Sequence, residues 1–202
     1  MLAVPHSLGV IVVFAQDLGG GARLGPLEPW HAAELLASVD ADRDHMLAAI
    51  PFAHTVRTVE DATAFLQRFA DAHAADTMHL TGIWSGQALI GVVMFPEFST
   101  RHRACEIGVW ISRSHEGRGL VNAACTHLIG WAFRERGMRR VAWINDVDNH
   151  RSSAAARRLG FTLEGIERQG YVVYEGGPAC DGEVWSILAT EWPPVEPAST
   201  VM

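Results

Sequence analysis

The sequence predicts an α+β fold. Runs rich in β-branched and aromatic residues recur along the chain, and two pairs of them flank tight turn signals as hairpins do. Between them lie stretches with helical spacing of apolar residues, over 58–74 and 120–136. From residue 105 to 144 a strand, a glycine-rich turn, a helix and a second strand follow one another.

Taken in order, residues 8–14 form an apolar, strand-like run, and Asp17-Leu18-Gly19-Gly20-Gly21 is a turn signal. Residues 23–27 read as a second short strand, so the chain is expected to open with a hairpin. Pro29 marks a helix start, continued by Ala32, Leu35, Leu36 and Val39. A polar stretch over 40–45 leads to the apolar run 46–52. Thr58 is a good N-cap with Asp61 three residues on, and Ala62, Phe65, Leu66 and Phe69 give the helix after it an apolar face. Residues 78–84 and 87–95 read as a hairpin around Ser85-Gly86, and 96–103 as a connection. A strand over 105–111 precedes the turn at 112–119. Leu120, Ala124, Leu128, Trp131 and Ala132 then repeat at helical spacing, with Gly137 placed for a C-terminal cap. After a strand at 140–144 come a short helix, strand segments at 164–169 and 171–174, a turn at 175–178 and a closing strand at 183–188.

The chain has 202 residues, enough for one domain with a substantial core. That domain is expected over 1–192, with a Pro-rich flexible tail over 193–202. Hydrophobic residues make up 49% and charged residues 19%, which excludes a disordered composition. A formal net charge of −7 argues against a nucleic-acid partner and suits a cationic amine. Cys105, Cys125 and Cys180 form no Cys-x-x-Cys pair, and the histidines are scattered, so neither a metal site nor a disulfide framework is expected. The run at 8–14 is too short to span a bilayer and follows no basic segment, so no membrane association is expected and the default is cytoplasmic.

Gly117 and Gly119 stand between a strand and a helix. Glycine takes backbone angles closed to other residues and leaves room for a ligand. The free N–H groups at the helix start then favour an anion, so the turn suits phosphate. No Gly-Lys-Ser/Thr ending is present, as a nucleotide P-loop requires, and Asn122 stands where a dinucleotide turn has its third glycine. By itself Gly-x-Gly is a weak signal that a plain tight turn also gives.

Further residues narrow the choice. Glu106 to Ile111 read Glu-Ile-Gly-Val-Trp-Ile; Ser114 to Gly119 fit Gln/Arg-x-x-Gly-x-Gly/Ala except at the first position; Asn149 and Ser152 precede Leu159-Gly160-Phe161; and Glu191-Trp192 closes the pattern. In these features the chain resembles the GNAT superfamily of acetyl-CoA-dependent N-acetyltransferases, and within it the subfamily that acetylates N-terminal amines of ribosomal proteins. The resemblance runs from about residue 8 to 192. It implies a mixed, mostly antiparallel central sheet flanked by helices. It implies acetyl-CoA as cofactor, CoA as product, and transfer of acetyl to a primary amine, on a protein N-terminus or a small molecule, by direct attack on the thioester. Carried over by position, it assigns the cofactor to Gly108, Val109 and Trp110, to Ser114, His115, Glu116, Gly117, Arg118, Gly119 and Leu120, and to Asn149 and Ser152. An N–H of Gly108 or Val109 would be the oxyanion donor. The acceptor pocket would be walled by Arg43, Leu47, Phe52 and Glu106, with Ala49 and Phe52 standing where the subfamily has tryptophans. Relatives often dimerise, and open sheet edges invite pairing, so a homodimer is expected.

The chemistry sets the roles. At pH 7 an α-amine with pKa near 8 is about a tenth neutral, costing about 1.4 kcal/mol, whereas a lysine amine costs about 4.6 kcal/mol. A base helps both and matters more for lysine. Glu106 is the candidate: a carboxylate in an apolar strand is costly to bury, and partial burial would make it more basic. The plainer reading is an edge-strand glutamate paired with Arg103 or Arg113. Ser152 is the candidate acid, needed less because a thiol near pKa 8.5 leaves tolerably unaided; helix capping is its plainer role. A non-catalytic acyl-CoA-binding or sensor module of the same fold is the alternative, and retention of Glu106, Asn149 and Ser152 together argues against it.

Overall fold

The computed structural model describes residues 16–193. The expected strand at 8–14 and the tail beyond 193 lie outside the described residues. Among those described, eight strands and five helices follow in the order β1 (Asp17–Gly19), β2 (Ala22–Pro26), α1 (Ala32–Met46), α2 (Phe52–Thr55), α3 (Val59–Ala74), β3 (His79–Ser85), β4 (Ala88–Ser99), β5 (Ala104–Ile111), α4 (Leu120–Arg134), β6 (Arg140–Asp146), α5 (His150–Arg158), β7 (Thr162–Val172) and β8 (Ala179–Leu188). The strands form one sheet, ordered β1-β2-β3-β4-β5-β6-β8-β7. Every neighbouring pair is antiparallel except β5 and β6, which the α4 crossover makes parallel. This is the mixed, mostly antiparallel sheet flanked by helices that the resemblance implies.

Side-chain alternation along β5 distributes the two cores. Cys105 and Ile107 pack with Leu128, Ile129, Val141 and Trp143 beneath α4 and α5. Trp110, on the other face, packs with Leu35, Val39, Leu66 and Phe69 from α1 and α3. Glu106 shares the face of Trp110, so it looks toward α1–α3 while its neighbour Cys105 is buried under α4. Helix α3 starts as expected: the Thr58 side chain accepts from the Asp61 N–H, and the Asp61 carboxylate accepts from the Thr58 N–H.

Several boundaries differ from the sequence reading. Helix α1 does not stop near Val39 but runs through the polar stretch to Met46. Its outer face needs no apolar residues, and Arg43, reaching in toward α2, also pairs with exposed Asp40 at 2.5 Å. The expected connection at 96–103 is partly strand, because β4 continues to Ser99 and carries Pro96 at a bulge. The register passes from Met94↔Gly108 to Glu97↔Glu106, so β4 holds one residue more than β5 over that interval. Proline, lacking an N–H, is tolerated at such a position. The segments 164–169 and 171–172 belong to one strand, β7, which ends before the expected 174 and whose pairing is irregular between Glu167 and Tyr171, where Gln169 has φ +52°. The closing strand begins earlier than expected, at Ala179. Asp17 to Gly19, read as turn, is a short strand, and Gly20-Gly21 makes the turn.

Candidate active site

The parallel seam in the sheet is short. β5 pairs with β6 only from Ala104↔Arg140 to Glu106↔Ala142. Beyond that point β5 stays bonded to β4 as far as Ile111, and β6 stays bonded to β8 as far as Asp146. The two central strands therefore part like a wedge. On the wedge side, the backbone groups of β5 past Glu106 have no strand partner, and they are free to bond an extended ligand.

A cavity of about 920 Å³ fills this opening. Val109, Trp110 and Ile111 of β5 form one wall, and Trp143 and Asp146 of β6 the other. Gly117, Gly119 and Leu120 close one end, Asn149 and Ser152 line the α5 side, and the stretch from His45 to Ile50 crosses above.

At the turn, Gly117 has φ +72° and Gly119, the N-cap of α4, has φ +76°. A Cβ added at either would meet nothing within 4 Å. The backbone angle, not crowding, demands glycine there, and the space in front is open. No side chain caps α4, so its leading N–H groups are available to an anion. The turn braces itself: Arg118 Nη2 donates to the Ser114 carbonyl at 2.9 Å, and the Ser114 hydroxyl lies 3.0 Å from His115 Nδ1. Glu116 binds His45 of α1 at 3.2 Å and also pairs with Arg151 of α5. Its burial would raise the carboxyl pKa, but hydrogen bonds from Arg151 and His45 outweigh this and hold it below the usual range. Asp42 Oδ2 accepts the Arg113 N–H at 2.6 Å, so the polar end of α1 is tied to the turn twice.

On α5, Asn149 caps the helix by accepting the Ser152 N–H at 3.1 Å. The Ser152 hydroxyl oxygen accepts the Trp143 Nε1–H at 2.8 Å. That bond occupies an acceptor site and leaves the hydroxyl proton free to be donated elsewhere.

Glu106 sits at the apex of the wedge, half-buried, outside the cavity wall itself. The edge-strand reading does not hold, since β5 is flanked by β4 and β6. Arg103 donates instead to the Gly137 carbonyl at 2.7 Å, and among the described residues Glu106 makes no ion pair. Burial, and then the charge of Glu97, push its pKa up to about 6.

Of the residues that sequence suggests for the site, the structure brings Val109, Trp110, His115, Glu116, Gly117, Gly119, Leu120, Asn149 and Ser152 onto one cavity. Gly108, Ser114 and Arg118 do not line it. Arg43 and Phe52 act as framework. Arg43 donates to the carbonyls of Ala53 at 2.6 Å and Val56 at 2.8 Å, and Phe52 is buried edge-on to Trp110. The Leu47 carbonyl is 2.8 Å from His54 Nε2. His54 in turn stacks on Tyr174 from the β7–β8 connection at 3.9 Å, so this hairpin arches over to α2. Met46, Ala48, Ala49 and Ile50 face the cavity instead of Leu47 and Phe52. Sequence reasoning missed His45, Trp143, Asp146 and Arg151. Only the polar run ahead of residue 46 hinted that this part of α1 meets something charged.

Comparisons with known proteins bear on the family and the fold. The family described as "Acetyltransferase (GNAT) domain" matches residues 22–162. YdaF of Bacillus subtilis (strain 168), to which a ribosomal N-acetyltransferase role is provisionally attached, is 34% identical over 126 residues, spanning 62% of this chain and 66% of the relative, just under two thirds of its length. The ribosomal-protein-serine acetyltransferase of Escherichia coli (strain K12) is 27% identical over 139 residues, 69% of this chain and 78% of that one. The solved structure of RimL, a ribosomal L7/L12 α-N-protein acetyltransferase in complex with coenzyme A, has the same fold, with a TM-score of 0.80 at 22% identity over 86% of this chain and 97% of that one.

Proposed function

This chain belongs to the GNAT acetyltransferase family and is an acetyl-CoA-dependent N-acetyltransferase, and on that premise we propose that its acceptor is the α-amine of a protein N-terminus. The observation that carries the reading is the wedge between β5 and β6, open beside a glycine turn at one end and beside an unpaired half-buried carboxylate at its apex. The names of the relatives support the acceptor class. A non-catalytic acyl-CoA module is not favoured.

In this reading the cofactor's phosphates lie on the backbone of residues 114–120, and its extended arm runs along the free edge of β5 toward Asn149. Cofactor contacts extend from Gly108 to Trp110, with the Gly108 or Val109 N–H receiving the oxyanion. Glu106 takes the amine proton, directly or through water. Ser152, held by Trp143, donates to the departing thiolate. The acceptor enters beneath the His54–Tyr174 arch, past the 46–50 stretch, with Arg43, Leu47 and Phe52 supporting that wall. Ala49 and Phe52 in place of tryptophans fit an acceptor end of different shape from the subfamily's usual one.

We also propose a cytoplasmic homodimer whose single domain spans 1–192. Among the described residues no helix is long and apolar enough to cross a membrane. Edge strand β7 exposes Leu163, Ile166 and Val172. Sedimentation at micromolar concentration should give twice the 22.0 kDa chain mass; a monomer alone would refute the dimer. The acceptor is tested by thiol release across short peptides beginning with serine or alanine, polyamines, aminoglycosides and free amino acids. Peptides should lead. Turnover on polyamines with none on peptides would overturn the acceptor assignment.

A further inference from the structure

The bulge in β4 has a specific product. Without its extra residue, Pro96 would face Glu106 across the ladder; with it, Glu97 does. Directly opposed residues on antiparallel strands share a face, with Cβ atoms roughly 5 Å apart, and like charges there are destabilising. Yet among the described residues neither carboxylate is paired with a cation or held by a hydrogen bond. Glu97 is exposed and Glu106 half-buried. On β6 the ladder neighbour of Glu106 is Ala142, which carries no charge. From β7 the Tyr171 phenol also lies within electrostatic range of Glu106. Glu106 thus faces one carboxylate, Glu97 from β4; the Tyr171 phenol, raised further by burial, stays neutral in this range, and the strand partner on β6 is apolar.

We propose that Glu97 is a positioning residue for acetyl transfer: opposite Glu106 across the β4–β5 ladder, it forms with it a carboxylate pair in which the charge of Glu97 raises the proton affinity of Glu106, the member that rests ionised and takes up the proton during turnover. The asymmetry follows from exposure. The charge of exposed Glu97 opposes ionisation of Glu106, which burial already disfavours. A base works best when its proton affinity approaches the operating pH, so the pair makes Glu106 a better acceptor for the proton that leaves the amine. The proton moves from the amine nitrogen to Glu106, and from there to water at the exposed Glu97 side, which restores the starting state. Bulges beside active sites re-aim side chains, and this one brings the second carboxylate into place.

The proposal rests on Glu106 being the base, and the test separates the two. With ¹³C-labelled glutamate, the Glu106 carboxyl resonance is identified by its loss in Glu106→Gln and titrated in the intact chain. In the wild type its midpoint should lie at about 6. Glu97→Gln should move it down toward the ordinary carboxylate range, and the acidic limb of kcat should follow. Glu97→Asp, which keeps the charge, should hold the midpoint near the wild-type value. An unmoved midpoint in Glu97→Gln overturns the pair even if Glu106→Gln is inactive. Full activity in Glu106→Gln overturns the base assignment itself, whatever Glu97→Gln does to the titration.

Discussion

Replacing Glu106 with glutamine keeps the side chain's size and removes its capacity to take a proton. Turnover should fall by about 10² to 10⁴, the range for loss of a general base. Acetyl-CoA affinity, read by calorimetry, should hardly change, because the side chain points toward α1–α3 and away from the phosphate turn. Ser152→Ala should cost less. Its hydroxyl is fixed by Trp143 Nε1, but a thiolate leaves tolerably without a proton donor. The deficit of Glu106→Gln should shrink as pH rises and the amine becomes neutral unaided. A larger loss in Ser152→Ala than in Glu106→Gln would show that thiolate departure, not amine deprotonation, limits the rate.

At the scale of elements, the turn into α4 and the start of β3 each make a prediction. Gly119→Val should abolish CoA binding while the protein stays folded. A β-branched residue resists φ +76°, and its side chain would project into the open space in front of the helix start. Ser114→Ala should be mild, since that hydroxyl is engaged within the turn. Unchanged calorimetric affinity in folded Gly119→Val would remove the phosphate assignment. His79, at the start of β3, is buried against Phe98 and Trp131. Burial, with the nearby His73 and Arg136 charges, lowers its pKa to about 4, although Asp76 at 3.3 Å pulls the other way. Between pH 6.5 and 4 the unfolded chain therefore binds a proton that the folded chain refuses. This term falls as pH drops, by about 1.4 kcal/mol per unit at most, the limit for one proton. Glu106 works in the opposite sense, because its raised folded value favours the folded state as pH falls from 6 toward 4.5. The comparison is hence between wild type and His79→Phe. Urea midpoints of the variant should lose less on going from pH 7 to 4.5, and parallel losses would discard the assignment.

For the whole molecule, the acceptor entrance is assembled from parts distant in sequence. Arg43 fastens the loop between α1 and α2, and the β7–β8 hairpin reaches across to it through Tyr174 on His54. Tyr174→Ala should change the KM for the amine several-fold and leave acetyl-CoA affinity intact, since neither ring of the stack lines the cavity beside the phosphate turn. A change in cofactor affinity with no effect on the amine would contradict this division of the cavity.

The sequence by itself determined most of the longer elements, the strand–turn–helix–strand unit, and the residues that carry the motifs, because these depend on local spacing: glycines where φ is positive, Thr58 and Asp61 at a helix start, apolar residues in alternation. Only the tertiary structure decided where β5 and β6 part, since that depends on how β4 and β8 hold their partners on either side. It decided that the polar run after Val39 is helix, because Asp42 and His45 find partners on a turn some 70 residues away. It set Glu97 against Glu106 through one bulged residue, which no periodicity announces. Register and cross-strand partnership are long-range properties, and spacing along one strand does not encode which residue of another strand will stand opposite.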